Sequence, residues 1–300
     1  MSIPTPFWMR ALLSALLATS LGLAGACAGG EAPADEAGTE VPTLQAEPRI
    51  AHEPTADDAL PAALLGAAPA PQGQALHYLP GDEATTGYLA LPDGDGPHPA
   101  VILVHEWNGL ADRVRQVADA LAAEGYVALA ADLFQGRTGS NPDENRALTR
   151  ETREDMDQVV ANLNIAATYL RDRADTSGKV AVMGWCFGGG IALSYGLAGD
   201  AHEGTAMFYG QLVQDPELLQ RITHEVYGTF AEEDGGIPPQ DVEQFVEALR
   251  TAGIENDVHI YSEVNHGFWL FVDQEPDTRT QPALDAWQRL KAYLSRTLSN

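Results

Sequence analysis

A cysteine stands at the centre of the segment 184–188, Gly-Trp-Cys-Phe-Gly, with a glycine two residues away on either side. This spacing is typical of a nucleophile on a sharp turn from a strand into a helix, with cysteine where serine is more common. Glycine suits both flanking positions because it lacks a Cβ. The free N–H groups at the start of the helix would stabilise negative charge, and the N–H of Phe187 is the first candidate oxyanion donor. The alternative is that Cys186 is a buried cysteine beside a glycine-rich turn.

A cysteine nucleophile needs a base, and in folds with this turn the partners follow in the order nucleophile, acid, histidine. Four histidines follow Cys186 in the chain. His266 comes after the last predicted strand, which places it at the active edge of the sheet. His259 lies within that strand, and His202 and His224 stand among acidic residues, which is typical of a surface. We therefore predict that His266 is the base.

The acid that orients the histidine is expected on the loop after the preceding strand. That loop is the segment 231–238, Ala-Glu-Glu-Asp-Gly-Gly-Ile-Pro. Asp234 is the predicted acid because two glycines and a proline would fix a tight turn directly after it. Glu232 and Glu233 remain alternatives for the same role. An acidic surface loop is the alternative for the whole segment.

A further carboxylate, Glu106, follows the first predicted central strand and precedes Trp107. At the carboxyl end of that strand it would face the same cleft. Partial desolvation would raise the pKa of Glu106, so that it could hold or accept the thiol proton. The alternative is a solvated loop glutamate. A backbone N–H near Glu106 or Trp107 is the expected second oxyanion donor.

Apolar runs and helical stripes alternate along the chain and define the elements that must position these side chains. Continuous apolar runs predict buried strands, and an edge hairpin is expected over 77–91. The predicted strands are 100–104, 126–130, 179–184, 205–209, 225–230 and 257–261. Helical stripes lie between most of them, which predicts an α/β fold with a mostly parallel central sheet and helices on both faces.

The N-terminal region predicts export. Residues 1–27 combine a basic residue, a short apolar core and small residues, which is typical of a signal peptide. Cys27 follows Ala-Gly-Ala and is the candidate lipidation site of a lipoprotein; soluble export and a retained anchor are the alternatives. Residues 28–72 are rich in Ala, Pro and Glu and predict a disordered acidic linker. The catalytic domain is then expected over 73–300, in the periplasm or cell envelope, where only a lipid anchor would contact the membrane.

Composition excludes some partners. The chain of 300 residues has 43 acidic and 17 basic residues, a net charge of −26. Such a chain lacks the basic surface that displaces counterions from nucleic acid, so we expect no nucleic-acid partner. No cluster has metal-ligand spacing, and we expect neither a metal nor another cofactor. Only Cys27 and Cys186 are cysteines, so processing would leave Cys186 as a lone thiol on the turn.

Five motifs in one order resemble the dienelactone hydrolase family over roughly residues 75–297. They are His105–Gly109, Gly125–Asp132, Gly184–Gly189, Asp234–Pro238 and His266–Phe268. The resemblance implies a single-domain α/β-hydrolase that cleaves a lactone enol ester with a Cys-His-Asp triad. It implies that Cys186 is the nucleophile and His266 the base. Asp234 would orient the base, and Glu106 would control the thiol proton.

The chain departs from the family where the substrate carboxylate is held. Family members that act on dienelactone use two arginines, one of them four residues after the catalytic histidine, where this chain has Leu270. The other falls near 135–137, and Arg137 matches it only approximately. Phe268 and Trp269 suggest an apolar pocket instead. We therefore expect a less charged ester, lactone or thioester as the substrate.

The leading hypothesis is a hydrolase that forms an acyl-enzyme at Cys186 on a small ester or lactone substrate. The alternative from another class is an exported lipid-anchored binding protein that keeps the fold without turnover. A third hypothesis is acyl transfer to an alcohol or amine.

Overall fold

The computed structural model describes residues 59–200 and 202–299. Within them, eight strands form one sheet: β1 Gln74–Leu76, β2 Gly87–Ala90, β3 His98–Val104, β4 Val127–Ala131, β5 Thr176–Trp185, β6 Gly204–Phe208, β7 Val226–Ala231 and β8 Asn256–Tyr261. The helices in the same part of the chain are α1 Asp112–Ala123, α2 Pro142–Glu154, α3 Met156–Arg171, α4 Phe187–Ala198, α5 Pro216–Leu219, α6 Pro239–Ala252 and α7 Pro276–Leu298. A short 3-10 helix, Val272–Gln274, precedes α7.

The strands lie in the order β1-β2-β4-β3-β5-β6-β7-β8. The pairs from β4 to β8 are parallel, whereas β1 and β2 join as an antiparallel edge. β4 and the apolar part of β3 are fully buried, as expected for parallel strands that are covered on both faces. The predicted architecture is confirmed. An antiparallel edge pair is present as predicted, but its first strand, Gln74–Leu76, lies before the predicted range of 77–91.

Two layers of helices cover the sheet. One core cluster joins α1 and α7 to one face of the sheet. On the other face, α3 and α4 pack over the first half of the sheet, and α6 packs with part of α4 over the second half. α1, for example, buries one apolar stripe that includes Val114, Val117 and Leu121. The strand ends at one edge of the sheet are left uncovered by this arrangement.

The register of the central strands brings their carboxyl ends together. Val104 at the end of β3 pairs with Gly184 of β5, and Trp185 pairs with Phe208 at the end of β6. β7 and β8 also end in register with each other. The loops after β3, β5, β6, β7 and β8 therefore leave the sheet along one edge, which is where open α/β sheets place their ligand sites.

Helix α2 was not predicted from the sequence. Among its residues only Asn145 and Leu148 are buried, so it carries almost no apolar stripe. Its start does carry a signal, because the side chain of Asn141 accepts hydrogen bonds from two N–H groups of the first turn and Pro142 occupies the first helical position. An Asn-Pro start can thus predict a helix that hydrophobic periodicity misses.

Residues 59–72, predicted to be part of the linker, pack against the domain. Ala63 and Leu64 are buried, and the guanidinium of Arg113 donates a hydrogen bond of 2.6 Å to the carbonyl of Ala63. The prediction of disorder was wrong here because average composition hides two apolar residues that suffice to anchor a short segment. The predicted signal peptide, Cys27 and residues 28–58 lie outside the described residues.

Within the described ranges, no helix combines the length and the apolar character needed to cross a membrane.

His202 and His224, predicted to lie on the surface, share the hydroxyl of Thr205 inside the protein. The Nδ1 atom of His202 lies 2.9 Å from the carbonyl of Asp200. The Oγ1 atom of Thr205 lies 3.2 Å from Nε2 of His202 and 2.8 Å from Nε2 of His224. Burial lowers the pKa of both imidazoles, that of His224 to about 4. The surface prediction was wrong because nothing next to either histidine in the sequence reveals that β6 places Thr205 between them.

Candidate active site

Cys186 occupies the turn between β5 and α4 in a backbone conformation that is rare for a residue with a side chain. Its φ is 54° and its ψ is −116°, and such strain costs about 1–3 kcal/mol and is often found at functional sites. A Cβ on Gly184 would lie 2.3 Å from the carbonyl oxygen of Gly188, and one on Gly188 would lie 2.2 Å from that of Val104. The spacing of the two glycines is therefore required by the close approach of three backbone segments.

His266 and Asp234 meet at this edge of the sheet. Nδ1 of His266 and Oδ2 of Asp234 are 2.6 Å apart, and His266 lines the same cavity as Cys186. The second carboxylate oxygen of Asp234 accepts the N–H groups of Gly236 at 2.9 Å and Ile237 at 3.2 Å. The tight turn expected from the sequence thus holds the carboxylate, and the structure brings the three predicted triad residues together.

The interactions of His266 with its neighbours shift the pKa values of both His266 and Asp234 away from their ordinary values. Burial alone would lower the pKa of His266, but the interactions of the ring with Asp234 and Cys186 outweigh burial and raise that pKa to about 10. Burial acts to raise the pKa of Asp234, and the hydrogen bonds from His266 and Gly236 reverse this, so that its pKa lies below the ordinary value. The arrangement favours an imidazolium between the sulfur and an ionised carboxylate.

Glu106 is a buried carboxyl group beside the triad. It follows β3, is 7% exposed, and burial raises its pKa to about 7, although the positive charges of His266 and Arg113 act against the rise. Its backbone is fixed by His105, which sequence reasoning did not assign to any role. Nδ1 of His105 lies 2.7 Å from the carbonyl of Glu106, and Nε2 accepts the N–H of Leu133 at 3.2 Å. The glutamate can therefore gain or lose a proton near neutral pH.

The two residues predicted to supply oxyanion donors line the same cavity as Cys186. Phe187 is the first residue of α4, so its N–H has no acceptor within the helix. Trp107 follows Glu106, is 36% exposed and lines the same cavity as Cys186.

A cavity of about 530 Å³ opens over the sulfur. Its lining comprises Trp107, Arg146, Thr149, Arg153, Cys186, Phe187, Tyr209, Gln211, Leu212, Gln214, Gly236, Ile237, Asp241 and His266. Sequence reasoning missed the α2 side chains and the residues that follow β6. Tyr209 is one of them: the centroid of its ring lies 4.8 Å from that of His266, and its backbone φ is 39°. Its position at the carboxyl end of the predicted strand 205–209 was the available signal.

Three predicted substrate-binding residues lie elsewhere. Phe268 and Trp269 have no exposed surface, and Trp269 stacks at 5.8 Å on Trp185 in the core. Arg137 forms hydrogen bonds of 2.9 and 2.8 Å with Glu151 and lines a different cavity. These placements correct the prediction of an apolar pocket beside the histidine, because the aromatic residues that follow it turn into the core.

In the part of the chain that the structure describes, no group of three His, Cys, Asp or Glu side chains is placed to hold a metal ion.

Comparison with known proteins gives one consistent family. The sequence profile of the dienelactone hydrolase family matches residues 85–298. A relative from Methylorubrum extorquens, named "Putative carboxymethylenebutenolidase", is 30% identical over 226 residues, which cover 71% of this chain and 77% of the relative. A relative of the same name from Yersinia pestis is 29% identical and covers 72% of this chain and 85% of its own length.

Solved structures agree with the sequence relatives. The crystal structure titled as a putative dienelactone hydrolase from Klebsiella pneumoniae is 26% identical, with a TM-score of 0.61 over 71% of this chain and 93% of that one. A dienelactone hydrolase-like promiscuous phosphotriesterase from metagenomic libraries is 20% identical, with a TM-score of 0.66 over 77% of this chain and 100% of that one. These likenesses confirm the predicted α/β-hydrolase fold.

Proposed function

This chain belongs to the dienelactone hydrolase family of ester and lactone hydrolases, and we propose that it acts through a triad of Cys186, His266 and Asp234 and an acyl-enzyme. The observation that carries the proposal is the contact of 2.6 Å between Nδ1 of His266 and the carboxylate of Asp234, at a ring that shares one cavity with Cys186. Cys186 also acts to raise the pKa of this ring. A cysteine without a chemical role would have no need of an oriented imidazole in the same cavity.

The first half of the reaction acylates the sulfur. Sγ of Cys186, as the thiolate, attacks the carbonyl carbon of the substrate, and the electron pair of the C=O double bond moves to oxygen. The N–H of Phe187 stabilises that oxyanion. The oxyanion then reforms the double bond, the bond to the leaving oxygen breaks, and Nε2 of His266 gives its proton to the alkoxide. Nδ1 stays with Asp234 throughout, so the ring keeps its orientation.

The second half releases the acyl group. In the thioester the sulfur carries no charge, so the imidazolium loses one of the two partners that raise the pKa of His266. The neutral ring accepts a proton from water, and the hydroxide attacks the thioester carbon. The bond to sulfur breaks, and Cys186 leaves as the thiolate. The acid product departs and the starting state returns.

We assign Glu106 the control of the thiol proton. A buried carboxyl group with a pKa of about 7 takes up a proton near neutral pH and releases it with little driving force either way. It lies close enough to His266 for the positive charge of the ring to act on its pKa. In this role Glu106 holds the proton that Cys186 loses and returns it when the site is empty.

Replacement of the sulfur tests the proposal. Cys186→Ala and Cys186→Ser enzymes are assayed on p-nitrophenyl acetate and a panel of small lactones. We expect Cys186→Ala to lose at least about 1,000-fold in kcat/KM, since a nucleophile cannot be replaced by a methyl group. His266→Gln should behave alike, whereas the matched control His259→Gln should keep its activity.

Each alternative has its own signature in the same assays. Full activity in Cys186→Ala would refute the triad. An unaltered enzyme with no turnover on the panel would favour a binding protein, for which the family comparisons give no support. Product that appears on an added alcohol instead of water would favour acyl transfer.

We also propose that the chain is exported and lipidated at Cys27. Support comes from the sequence pattern of residues 1–27 and from the lone thiol that processing would leave at Cys186. Mass spectrometry of the mature N-terminus in a bacterial host distinguishes a diacylated cysteine from a free terminus. Retention of residues 1–27 would overturn the proposal.

A further inference from the structure

His266 stands in the middle of a connection that has no regular secondary structure. This connection, residues 262–271, runs from the end of β8 to the 3-10 helix before α7. Its start is tied to the loop of the acid, because the carbonyl of Val264 accepts the N–H of Glu233 at 3.0 Å. The next backbone bond closes only a local turn over 265–268. The place of the histidine on the sheet edge therefore depends on contacts from side chains.

The buried guanidinium of Arg279, in the first turns of α7, reaches this connection from inside the protein. The residue is 4% exposed. Its Nη1 atom donates a hydrogen bond of 2.7 Å to the carbonyl of Phe271, and Nη2 donates one of 2.8 Å to Oδ1 of Asn265. Asn265 directly precedes His266, and Phe271 follows it by five residues. One rigid planar group thus holds the chain on both sides of the histidine.

The ion pair of this arginine does not explain why the charge is buried. Among the described residues that accept its hydrogen bonds, Glu275 has the only carboxylate, at 2.8 Å, and that side chain is 52% exposed. Burial of a guanidinium is costly unless hydrogen bonds and opposite charge compensate for the lost water. A half-exposed carboxylate compensates for little of this cost. The oxygen atoms of the connection around His266 must therefore contribute much of the compensation.

The imidazole itself is held only in part by its own contacts. Nδ1 of His266 lies 2.6 Å from Oδ2 of Asp234, and the ring of Tyr209 packs with its centroid 4.8 Å away. The side chain of His266 is nevertheless 41% exposed. These contacts form only when the backbone of His266 lies in the right place. The backbone must therefore supply the remaining constraint.

We propose that Arg279 is a positioning residue for His266, and that its bonds to Asn265 and Phe271 fix the backbone of the histidine so that the imidazole meets Asp234 at the cavity of Cys186. Arg279 acts on the chain at either side of the histidine and not on the ring. The inference rests on the proposed function, because a general base needs closer alignment than a structural loop does. A displacement of about 1 Å can lower the rate of an enzyme about 100-fold.

Single variants assayed on p-nitrophenyl acetate test the inference. Arg279→Gln should lower kcat/KM about 10- to 100-fold, mainly through kcat, since Arg279 does not line the cavity. Asn265→Leu removes only the acceptor on the histidine side and should lower kcat/KM about tenfold. Asn265→Asp keeps an acceptor oxygen at the same place and should stay within about threefold of the unaltered enzyme.

A matched control and a double variant show whether the two residues act together. Glu275→Ala removes a hydrogen bond to the same Nη2 atom from outside the connection, and its kcat/KM should stay within about twofold of the unaltered enzyme. If Arg279 acts through Asn265, the double variant Arg279→Gln/Asn265→Leu should lie no more than about threefold below Arg279→Gln alone. Single effects that multiply in the double variant would overturn the inference.

The alkaline limb of the pH profile of kcat/KM separates positioning from a direct effect of charge. The interactions of the ring with Asp234 and Cys186 raise the pKa of His266 to about 10. A displaced ring loses part of these interactions, so the limb should move to lower pH in both Arg279→Gln and Asn265→Leu. The loss of a nearby positive charge would instead raise the pKa of His266, and only in Arg279→Gln. A shift to higher pH would therefore overturn the positioning role.

The outcomes distinguish this inference from the proposed function. Urea titrations report the stability of every variant. Lower stability with unchanged kcat/KM in Arg279→Gln and Asn265→Leu would make Arg279 a structural residue only, while the hydrolase stands. If Arg279→Gln does not fold, the two Asn265 variants decide the question, because they leave the guanidinium in place. Activity of Cys186→Ala on the same ester would overturn the proposed mechanism and the inference with it.

Discussion

Replacement of Glu106 by glutamine should stabilise the protein at alkaline pH. The folded protein raises the pKa of this carboxyl group from an ordinary 4.5 to about 7. At 1.36 kcal/mol per pH unit, the 2.5-unit difference amounts to about 3 kcal/mol. Because the pKa is raised, the stability that Glu106 contributes is present below pH 4.5 and lost as the pH rises through 7. Glu106→Gln removes a charge that burial disfavours, so its advantage grows over that window.

The measurement is the difference in free energy of unfolding between Glu106→Gln and the unaltered protein, from urea titrations at several pH values between 5 and 8.5. We expect the difference to shift by up to about 3 kcal/mol in favour of the variant from the acid to the alkaline end. Glu233→Gln is the control: this exposed glutamate belongs to the loop of Asp234, and its replacement should change stability by less than about 0.5 kcal/mol. A difference for Glu106→Gln that does not depend on pH would refute the reasoning.

The same variant separates stability from activity. If Glu106 holds the thiol proton, Glu106→Gln loses the inflection near pH 7 in the pH profile of kcat/KM while it gains stability. A profile that keeps this inflection would assign it to another group and would reduce Glu106 to a structural acid.

Two further predictions concern histidines. Asp234→Asn removes the partner that does most to raise the pKa of His266, so this pKa should fall from about 10 toward its ordinary value. The kcat/KM on p-nitrophenyl acetate should fall by about 10²–10⁴-fold. An unchanged alkaline limb in the pH profile of kcat/KM would contradict this prediction. The pKa of His224 is lowered to about 4, so the stability that its burial in neutral form provides is present above pH 6.5 and lost as the pH falls to 4, by up to about 3 kcal/mol. Urea titrations of His224→Gln should show a smaller loss over that range, and an equal loss would contradict the assignment.

The proximity of Asp234 and His266, and their place at the sheet edge near Cys186, could be predicted from the sequence because local pattern and chain order constrain all three residues. The glycines around Cys186 are required by backbone atoms a few ångströms away, so the pentapeptide itself encodes the turn. Asp234 stands before two glycines whose turn donates N–H groups to it. His266 follows the last strand, and a parallel sheet brings the ends of its strands to one edge.

The walls of the cavity could not be predicted in this way. α2 buries only Asn145 and Leu148, and the approach of its side chains to the cavity of Cys186 depends on the path of the loop after β4, which is a tertiary property. Phe268 and Trp269 were predicted to line the pocket but lie in the core. In the sequence, an aromatic residue next to a candidate histidine is equally compatible with a pocket and with the core. The outcome depends on partners such as Trp185 that lie far away in the chain.

The hydrogen bonds of the segment 59–72 bear on where a recombinant form of this protein should begin. Arg113 holds the carbonyl groups of both Ala63 and Leu270, and the N–H of Val272 donates to Leu64. These bonds tie the N-terminal segment to the stretch that follows His266. A recombinant form trimmed to the matched family region, which begins at residue 85, would lack these bonds, and we expect the stretch that follows His266 to be less stable in it.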